Sequence, residues 1–154
     1  MERTLVLVKP YGVKRGLIGK VIDRFERSGL RIVALKMITM DESLARQHYA
    51  AHVDKPFFPG LLAYMTSGPL AAMVVQGPNA IAEVRRIMGA TDPSKASPGT
   101  LRAAYAVDVQ KNFVHGSDSP ESAQREIALF FRDDEIFDYE KVIDPEVDGV
   151  PVAG

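Results

Sequence analysis

The pattern of apolar and polar positions predicts strands that alternate with helices. Residues 4–9 are short, rich in β-branched side chains and stopped by a proline, which predicts a strand. Residues 31–39 alternate, so Val33, Leu35 and Met37 are predicted to share one face of a second strand. Residues 70–75 are apolar throughout, as in a central strand. A short fourth strand is predicted near residues 113–115.

Helical spacing appears between these strands. Apolar residues in 18–25 fall at i, i+3, i+4 and i+7, and Gly29 is predicted to cap that helix at its C-terminus. Helices are also predicted at 43–51 and 60–66. Two more carry N-terminal signals: Asn79 precedes Ile81, Val84 and Met88, and Ser119-Pro120 precedes Ala123, Ile127 and Phe130.

The order of these elements predicts an α/β sandwich built on one small sheet. The chain has no internal repeat and no Gly/Ser linker, so residues 1–140 are predicted to form one domain. Residues 141–154 lack periodicity and are predicted to form an irregular tail. Residues 89–99 are rich in Gly, Pro, Ser and Thr, and such long loops inside compact domains are often functional.

Composition narrows the possible classes of function. The 154 residues carry 19 basic and 20 acidic groups, a formal charge of -1, which argues against general binding to nucleic acids or acidic membranes. There is no cysteine, so disulfides and thiolate metal sites are excluded. No apolar run has the length of a signal peptide or a membrane span. We therefore expect a soluble, cytoplasmic protein.

His115 occupies an unusual position among the three histidines. It ends a predicted strand and is followed by the polar turn Gly116-Ser117-Asp118, which leads into a helix. Eleven residues later, Glu126 flanks the apolar stripe of that helix and is expected to face the protein. A nucleophile oriented by a second group is the usual arrangement for covalent catalysis. The alternative on this pattern alone is a hydrogen-bonded histidine beside a solvated glutamate.

Other candidate sites give weaker signals. His48 and His52 lie at i and i+4 of a helix, a possible metal pair, but no third ligand is evident, and a surface or capping role is predicted. Gly12, Gly16 and Gly19 lack the spacing of a P-loop or a dinucleotide fingerprint, so helix entry and packing are the predicted roles. A nucleotide site would need scattered groups instead: Lys9, Arg85, Arg102 and Thr91.

Residues 112–118, Asn-Phe-Val-His-Gly-Ser-Asp, resemble the active-site signature of the nucleoside diphosphate kinases. The resemblance extends from about residue 3 to residue 139. It includes motifs in the same order along the chain: Lys9-Pro10, Arg15-Gly16-Leu17, His48-Tyr49, Pro56-Phe57-Phe58, Ser67-Gly68-Pro69, Gly89-Ala90-Thr91 and Pro98-Gly99-Thr100. Tyr11 departs from the family pattern, in which Lys-Pro-Asp-Gly is usual.

The resemblance implies a fold, an assembly and a reaction. The fold would be a ferredoxin-like sandwich, an α+β arrangement in which helices cover a four-stranded antiparallel sheet. The assembly would be a homo-oligomer, a tetramer or a hexamer. The reaction would move the γ-phosphoryl group of a nucleoside triphosphate, mainly ATP, to a nucleoside diphosphate by a ping-pong mechanism with broad base specificity. Mg²⁺ would be bound through the nucleotide phosphates and water.

The resemblance also implies roles for matched positions. His115 would accept the phosphoryl group, with Glu126 and Ser117 holding it and Tyr49 nearby. The remaining contacts would be to the nucleotide: Arg85, Thr91 and Arg102 to the phosphates, Lys9 and Asn112 to the ribose 3′-hydroxyl, and Phe57, Leu61 and Val109 to the base. Asp118 would contact Mg²⁺ at most indirectly.

Two other classes of function compete with this reading. RNA-binding modules with a ferredoxin-like sheet stack bases on strand aromatics, but residues 4–9 and 70–75 contain none. A catalytically silent structural or regulatory oligomer would be expected to lose His115 or its partners, and all are present.

Overall fold

A computed structural model describes residues 1–106, 108–109 and 112–142. Its four strands form one antiparallel sheet in the order β2–β3–β1–β4. The strand bounds are β1 Glu2–Val8, β2 Arg31–Thr39, β3 Pro69–Gly77 and β4 Val114–Gly116. The predicted ferredoxin-like sandwich is confirmed, and the apolar strand β3 is central, as its composition predicts.

Helices connect the strands and cover both faces of the sheet. Their bounds are α1 Pro10–Lys14, α2 Ile18–Arg27, α3 Glu42–His48, α4 Phe58–Met65, α5 Ala80–Met88, α6 Leu101–Tyr105 and α7 Pro120–Phe130. Short 3₁₀ turns occur at Ala50–His52, Pro93–Lys95 and Asp133–Glu135. Helices α1 and α6 were not predicted, because five residues are too few to establish a helical period.

Two apolar layers lie on opposite faces of the sheet. Along β1, Leu5 and Leu7 pack against the layer formed with α3, α4 and α7, whereas Val6 and Val8 pack against α2 and α5. All four side chains are fully buried. Because helices cover both faces, the central strands have no solvent side and therefore read as continuous apolar runs.

Strand β2 corrects one prediction about facing. Its pairing with β3 shifts between Ile32 and Ala34, which leaves Val33 in a bulge. Val33 is buried, whereas Leu35 and Met37 are 54% and 56% exposed. The prediction that these three side chains share one face is therefore wrong, because the extra residue changes the phase of the alternation.

The N-terminal caps differ between α5 and α7. The Ser119 side chain accepts a hydrogen bond from the Ser122 amide at 3.1 Å, so the predicted cap of α7 is confirmed. Asn79 precedes α5 as predicted but makes no side-chain cap; its backbone is left-handed, with φ +52°. The Glu2 carboxylate instead accepts from the Ile81 amide at 2.8 Å. A distant residue thus replaces the predicted local cap.

The segment after α7 runs along the outer side of β2. The Phe137 amide donates to the Val33 carbonyl at 2.8 Å, and the Tyr139 hydroxyl donates to the Ile32 carbonyl at 2.9 Å. The predicted irregular tail, residues 141–154, lies outside the described residues from 143 onward. In the part of the chain that is described, no helix is long and apolar enough to cross a membrane.

Candidate active site

The carboxylate of Glu126 joins β4 to α7. Its Oε1 lies 2.8 Å from His115 Nε2 and 2.9 Å from Ser117 Oγ. Ser117 is fully buried and is itself tied to β1, because its hydroxyl accepts from the Leu5 amide and its amide donates to the Leu5 carbonyl. Glu126 is 5% exposed, so the helical stripe predicts its inward position correctly.

This geometry assigns the tautomer of His115. A carboxylate can only accept hydrogen bonds, so Ser117 Oγ–H and His115 Nε2–H must both donate to Glu126. In a neutral imidazole the other ring nitrogen, Nδ1, then carries a lone pair. The His115 side chain is 21% exposed, so part of the ring remains accessible to solvent.

His115 is held in its neutral form. Burial lowers its pKa below the ordinary value of 6.5, and the positive charges of Lys9 and Arg102 lower it further. The hydrogen bond and the charge of Glu126 act in the opposite direction but do not cancel the effect of burial. A neutral imidazole is the nucleophilic form, so the site provides a nucleophile near pH 7.

His48 is the residue that sequence reasoning misjudged. It is buried and edge-on to His115, with ring centroids 4.8 Å apart, so the predicted surface or capping role is wrong. Leu44 and Ala45 lie four and three residues earlier on α3 and also face the apolar layer. This i+3 and i+4 spacing was the signal for burial. His52, by contrast, is exposed.

Arg102 is a buried cation with several fixed donors. It donates to the carbonyls of Gly89 at 2.8 Å and Val114 at 3.1 Å, and to Asn112 Oδ1 at 3.3 Å. Asn112 Oδ1 also accepts from the Val114 amide at 3.2 Å, which fixes the orientation of this side chain. Burial, with a smaller effect of Arg85, lowers the pKa of Arg102 to about 10. The guanidinium therefore remains charged.

Lys9 lies between β1 and α1 and contributes a second buried positive charge. Burial, followed by repulsion from Arg102, lowers the pKa of Lys9 to about 8. The ammonium is still mainly protonated at pH 7. Two cations close enough to repel each other create a strong attraction for an anion.

Arg85 and Thr91 line a cleft of about 570 Å³ between α2, α5 and the loop 89–100. Arg24, Arg86 and Lys95 also line this cleft, but His115 does not. Arg85 connects the cleft to the histidine, because its Nη1 donates to the Gly116 carbonyl at 3.3 Å. The loop predicted to be functional thus lines a cleft that Arg85 links to Gly116, the residue after the candidate nucleophile.

The remaining predicted site residues differ in burial. Tyr49 is 8% exposed, and its hydroxyl has no hydrogen-bond partner among the residues described. Burial raises the pKa of that hydroxyl. Phe57 and Val109 are half exposed, at 50% and 51%, and Leu61 packs at the edge of the apolar layer. The Leu61 amide donates to the Phe57 carbonyl at 3.1 Å, so these two residues share the first turn of α4.

Tyr11, the departure from the family pattern, is supported by a second tyrosine. The Tyr64 hydroxyl accepts from the Tyr11 amide at 3.2 Å and donates to the Asn112 carbonyl at 2.8 Å. The Arg15 guanidinium lies 5.4 Å from the centre of the Tyr11 ring, a cation–π contact in place of an ion pair. No pattern along the chain indicates the bridging role of Tyr64.

The described side chains that could ligate a metal ion offer nitrogen as well as oxygen atoms. Among the described residues, the one group of three or more metal-ligating side chains is His48, His115 and Glu126. Two nitrogens and one carboxylate do not suit Mg²⁺, which prefers oxygen ligands. Asp118 offers a carboxylate, but this group already accepts a hydrogen bond from Ser122. That hydrogen bond is the main cause of its lowered pKa. These residues fit a Mg²⁺ that is held by a ligand's phosphates rather than by a protein cage.

The family model described as nucleoside diphosphate kinase matches residues 2–136 of the chain. A nucleoside diphosphate kinase of Archaeoglobus fulgidus is 59% identical over 141 residues, which cover 92% of this chain and 93% of that protein. One of Carboxydothermus hydrogenoformans is 56% identical over 144 residues, which cover 94% and 97%.

Solved structures with the same fold carry the same family name. A halophilic nucleoside diphosphate kinase of Halobacterium salinarum, in complex with CDP, matches with a TM-score of 0.88 and 51% identity. The match covers 94% of this chain and 95% of that one. A family protein of Babesia bovis has a TM-score of 0.88 and 41% identity, with coverage of 97% and 98%.

The burial of His48 predicts a pH-dependent stability. Burial lowers the pKa of His48 from 6.5 to about 2, so the unfolded chain binds a proton here that the folded chain does not. Its contribution to stability is complete above about pH 6.5 and falls as the pH decreases below that value, by up to about 1.4 kcal/mol per pH unit. His48→Gln should therefore flatten the slope between pH 7 and pH 5.

Urea unfolding at several pH values measures this slope. His52→Gln is the matched control, because it removes the exposed histidine four residues away. Equal slopes for wild type and His48→Gln would contradict the prediction.

Proposed function

Because this chain belongs to the nucleoside diphosphate kinase family, we propose that it transfers the γ-phosphoryl group of ATP to nucleoside diphosphates through His115. The lone pair of His115 Nδ1 attacks the γ-phosphorus while the bond to the β-phosphate oxygen breaks, and the diphosphate leaves. An acceptor diphosphate then attacks phosphohistidine, and the lone pair returns to Nδ1. Both half-reactions use one site, which makes the mechanism ping-pong.

The observation that carries the proposal is the hydrogen bond between His115 Nε2 and Glu126, at 2.8 Å. It leaves Nδ1 as the nucleophilic nitrogen and fixes the plane of the ring. When Nδ1 becomes phosphorylated, the ring can gain positive charge, and the carboxylate stabilises that charge through the same hydrogen bond. Ser117 keeps Glu126 in place through its 2.9 Å bond to the same oxygen.

Buried positive charge supports phosphate binding beside this nucleophile. Phosphoryl transfer needs mainly positioning and neutralisation of the equatorial oxygens. We assign the phosphates to Arg85, Thr91 and Arg102, and the ribose 3′-hydroxyl to Lys9 and Asn112. The repulsion that lowers the pKa values of Lys9 and Arg102 is relieved when an anion binds between such groups. Tyr49 is assigned to the wall beside His115; its buried hydroxyl has no hydrogen-bond partner among the described residues.

The base would bind at the exposed ring of Phe57, with Leu61 and Val109 as further apolar contacts. Stacking on an aromatic face does not depend on the donors and acceptors of a base edge. A nucleotide site that relies on stacking therefore accepts different bases, which supports broad specificity.

Mg²⁺ is proposed to enter with the nucleotide, because the oxygen-poor donor set of the described residues favours an ion held by phosphates and water. When bound, it would neutralise charge on the transferring group. Asp118, next to Ser117, would reach it at most through a water molecule. Arg85 and Arg102 remain the direct protein contacts to the phosphates.

We propose that the chain assembles as a homo-oligomer, a tetramer or a hexamer. Leu35 and Met37 on the edge strand β2, with Phe137 and Tyr139 beside them, form an exposed apolar surface that we call the edge patch. Exposed apolar surfaces on edge strands are usually covered in stable proteins. A second copy of the chain would bury the edge patch.

We propose the cytoplasm as the location of this activity. The proposed donor and acceptors are nucleotides, and nucleotide pools are turned over there. A chain without cysteine also needs no oxidising compartment for its folding. Immunodetection in fractionated cells would test the location.

The alternative function, a catalytically silent oligomer, is distinguished by the covalent intermediate. Wild-type chain incubated with γ-labelled ATP and Mg²⁺ should acquire base-stable, acid-labile label, and His115→Ala should acquire none, because no other histidine has the same carboxylate partner. His52→Ala is the matched control and should still be labelled. Label on His115→Ala, or none on the wild type, would remove His115 from the proposed role.

Glu126 is proposed as a positioning residue, so its effect should appear in turnover rather than in binding. Loss of a charge-assisted hydrogen bond worth about 1.5–3 kcal/mol predicts that Glu126→Gln lowers kcat roughly 10- to 100-fold. The affinity for nucleoside diphosphate should change little. Glu121→Gln, an exposed position on the same helix, controls for charge. An unchanged kcat would contradict the assignment.

The edge patch gives a test of the assembly. Leu35→Lys places a charge in the proposed contact and should lower the solution mass measured by light scattering. Gln124→Lys adds the same charge at an exposed site on α7 and should leave the mass unchanged. A wild type that is already monomeric, or a Leu35→Lys mass equal to the wild type, would contradict this contact.

A further inference from the structure

His48, His115 and Glu126 form a cluster with a chemistry that phosphoryl transfer does not use. Each offers one ligand atom, and these atoms all lie within 4.8 Å of one another. The rings of His48 and His115 meet edge to face, with centroids 4.8 Å apart and planes at 79°. Three potential ligands from α3, β4 and α7 therefore converge on one point of the site.

The state of His48 is a second, independent observation. It is 4% exposed, yet neither ring nitrogen has a hydrogen-bond partner among the described residues. Buried polar atoms without partners are unfavourable. Around it stand the rings of Tyr49, His115 and Phe130, with centroids 4.5, 4.8 and 5.3 Å away. His48 thus keeps an unused lone pair beside the nucleophile.

The donor set is selective for the type of metal. Two imidazoles and one carboxylate, with a fourth position open to water, are a frequent ligand set for Zn²⁺. With metal–ligand bonds of about 2.0–2.1 Å, tetrahedral ligand atoms lie roughly 3.3 Å apart. Separations of up to 4.8 Å can contract to that value by small rotations of the side chains. A borderline cation such as Zn²⁺ suits this set better than Mg²⁺.

We propose that His48, His115 and Glu126 bind Zn²⁺ and that the bound ion inhibits phosphoryl transfer. The inhibitory consequence rests on the function proposed above, whereas the binding site does not. Zn²⁺ replaces the proton between His115 Nε2 and Glu126, and the displaced proton is taken up by Nδ1 of the same ring. The imidazole stays neutral and the protons balance. Nδ1 then carries hydrogen instead of a lone pair, so it cannot attack phosphorus.

Direct binding is the first test. Zn²⁺ is titrated calorimetrically into wild type, His48→Gln and the control His52→Gln, without nucleotide. We expect His48→Gln to weaken binding by about tenfold or more, and His52→Gln to leave it unchanged. Co²⁺, used as a coloured probe, should give the intense visible bands of a tetrahedral site in wild type and in His52→Gln alone. Equal affinities in all three proteins would overturn the proposal.

A second variant guards against a folding defect. Glu126→Gln removes another ligand from a different element and should also weaken Zn²⁺ binding, while circular dichroism establishes that each variant is folded. If folded His48→Gln and folded Glu126→Gln both retain the wild-type affinity, the ion binds elsewhere and the assignment fails.

Inhibition is tested separately with γ-labelled ATP and excess Mg²⁺. Added Zn²⁺ should reduce labelling of wild type and His52→Gln, and should have about tenfold less effect on His48→Gln. Zn²⁺ that binds but leaves labelling unchanged would overturn the inhibitory role. A wild type that binds Zn²⁺ but is never labelled would contradict the proposed function without contradicting the metal site.

Discussion

The site depends on one oxygen atom, Oε1 of Glu126, which accepts hydrogen bonds from both His115 and Ser117. A buried carboxylate is unfavourable unless donors surround it, so this oxygen requires both partners to be in place. Ser117 is bound in turn to both backbone groups of Leu5. The orientation of the nucleophile is therefore set by the sheet itself rather than by a loop. Phosphoryl transfer requires a nucleophile held in a fixed orientation, and this rigidity provides it.

Positive charge is concentrated close enough to the histidine to lower its pKa. Lys9 and Arg102 are desolvated and repel each other, and Arg102 is fixed by bonds to Gly89, Val114 and Asn112. Desolvated charges of the same sign are unfavourable for the fold, and an anion bound between them would offset that cost. The fold thus holds these charges in place at a cost in stability, and they produce an electrostatic field at the site. The polar groups of the site therefore need little reorganisation when a ligand binds.

Patterns along the chain predicted the structural features that depend on local periodicity. They failed for features that are determined by contacts between distant residues. The four strands, the cap at Ser119 and the inward position of Glu126 follow from spacing along the chain. The bulge at Val33 does not, because pairing with β3 determines it. The cap of α5 does not either, because the Ile81 amide is bonded by Glu2, which lies 79 residues earlier. The burial of His48 was readable from its helical spacing with Leu44 and Ala45, but only the i+4 spacing to His52 was considered, and a surface or capping role was predicted.

The bond between Leu5 and Ser117 spans 112 residues, which has a consequence for how the protein is made. During synthesis the turn that carries Ser117 and the helix that carries Glu126 leave the ribosome more than a hundred residues after β1. Contacts of such large sequence separation form late and slow folding. A nascent or prematurely terminated chain therefore contains most of the sheet but no assembled nucleophile. The hydrogen bonds that orient His115 are therefore complete only in chains translated through α7.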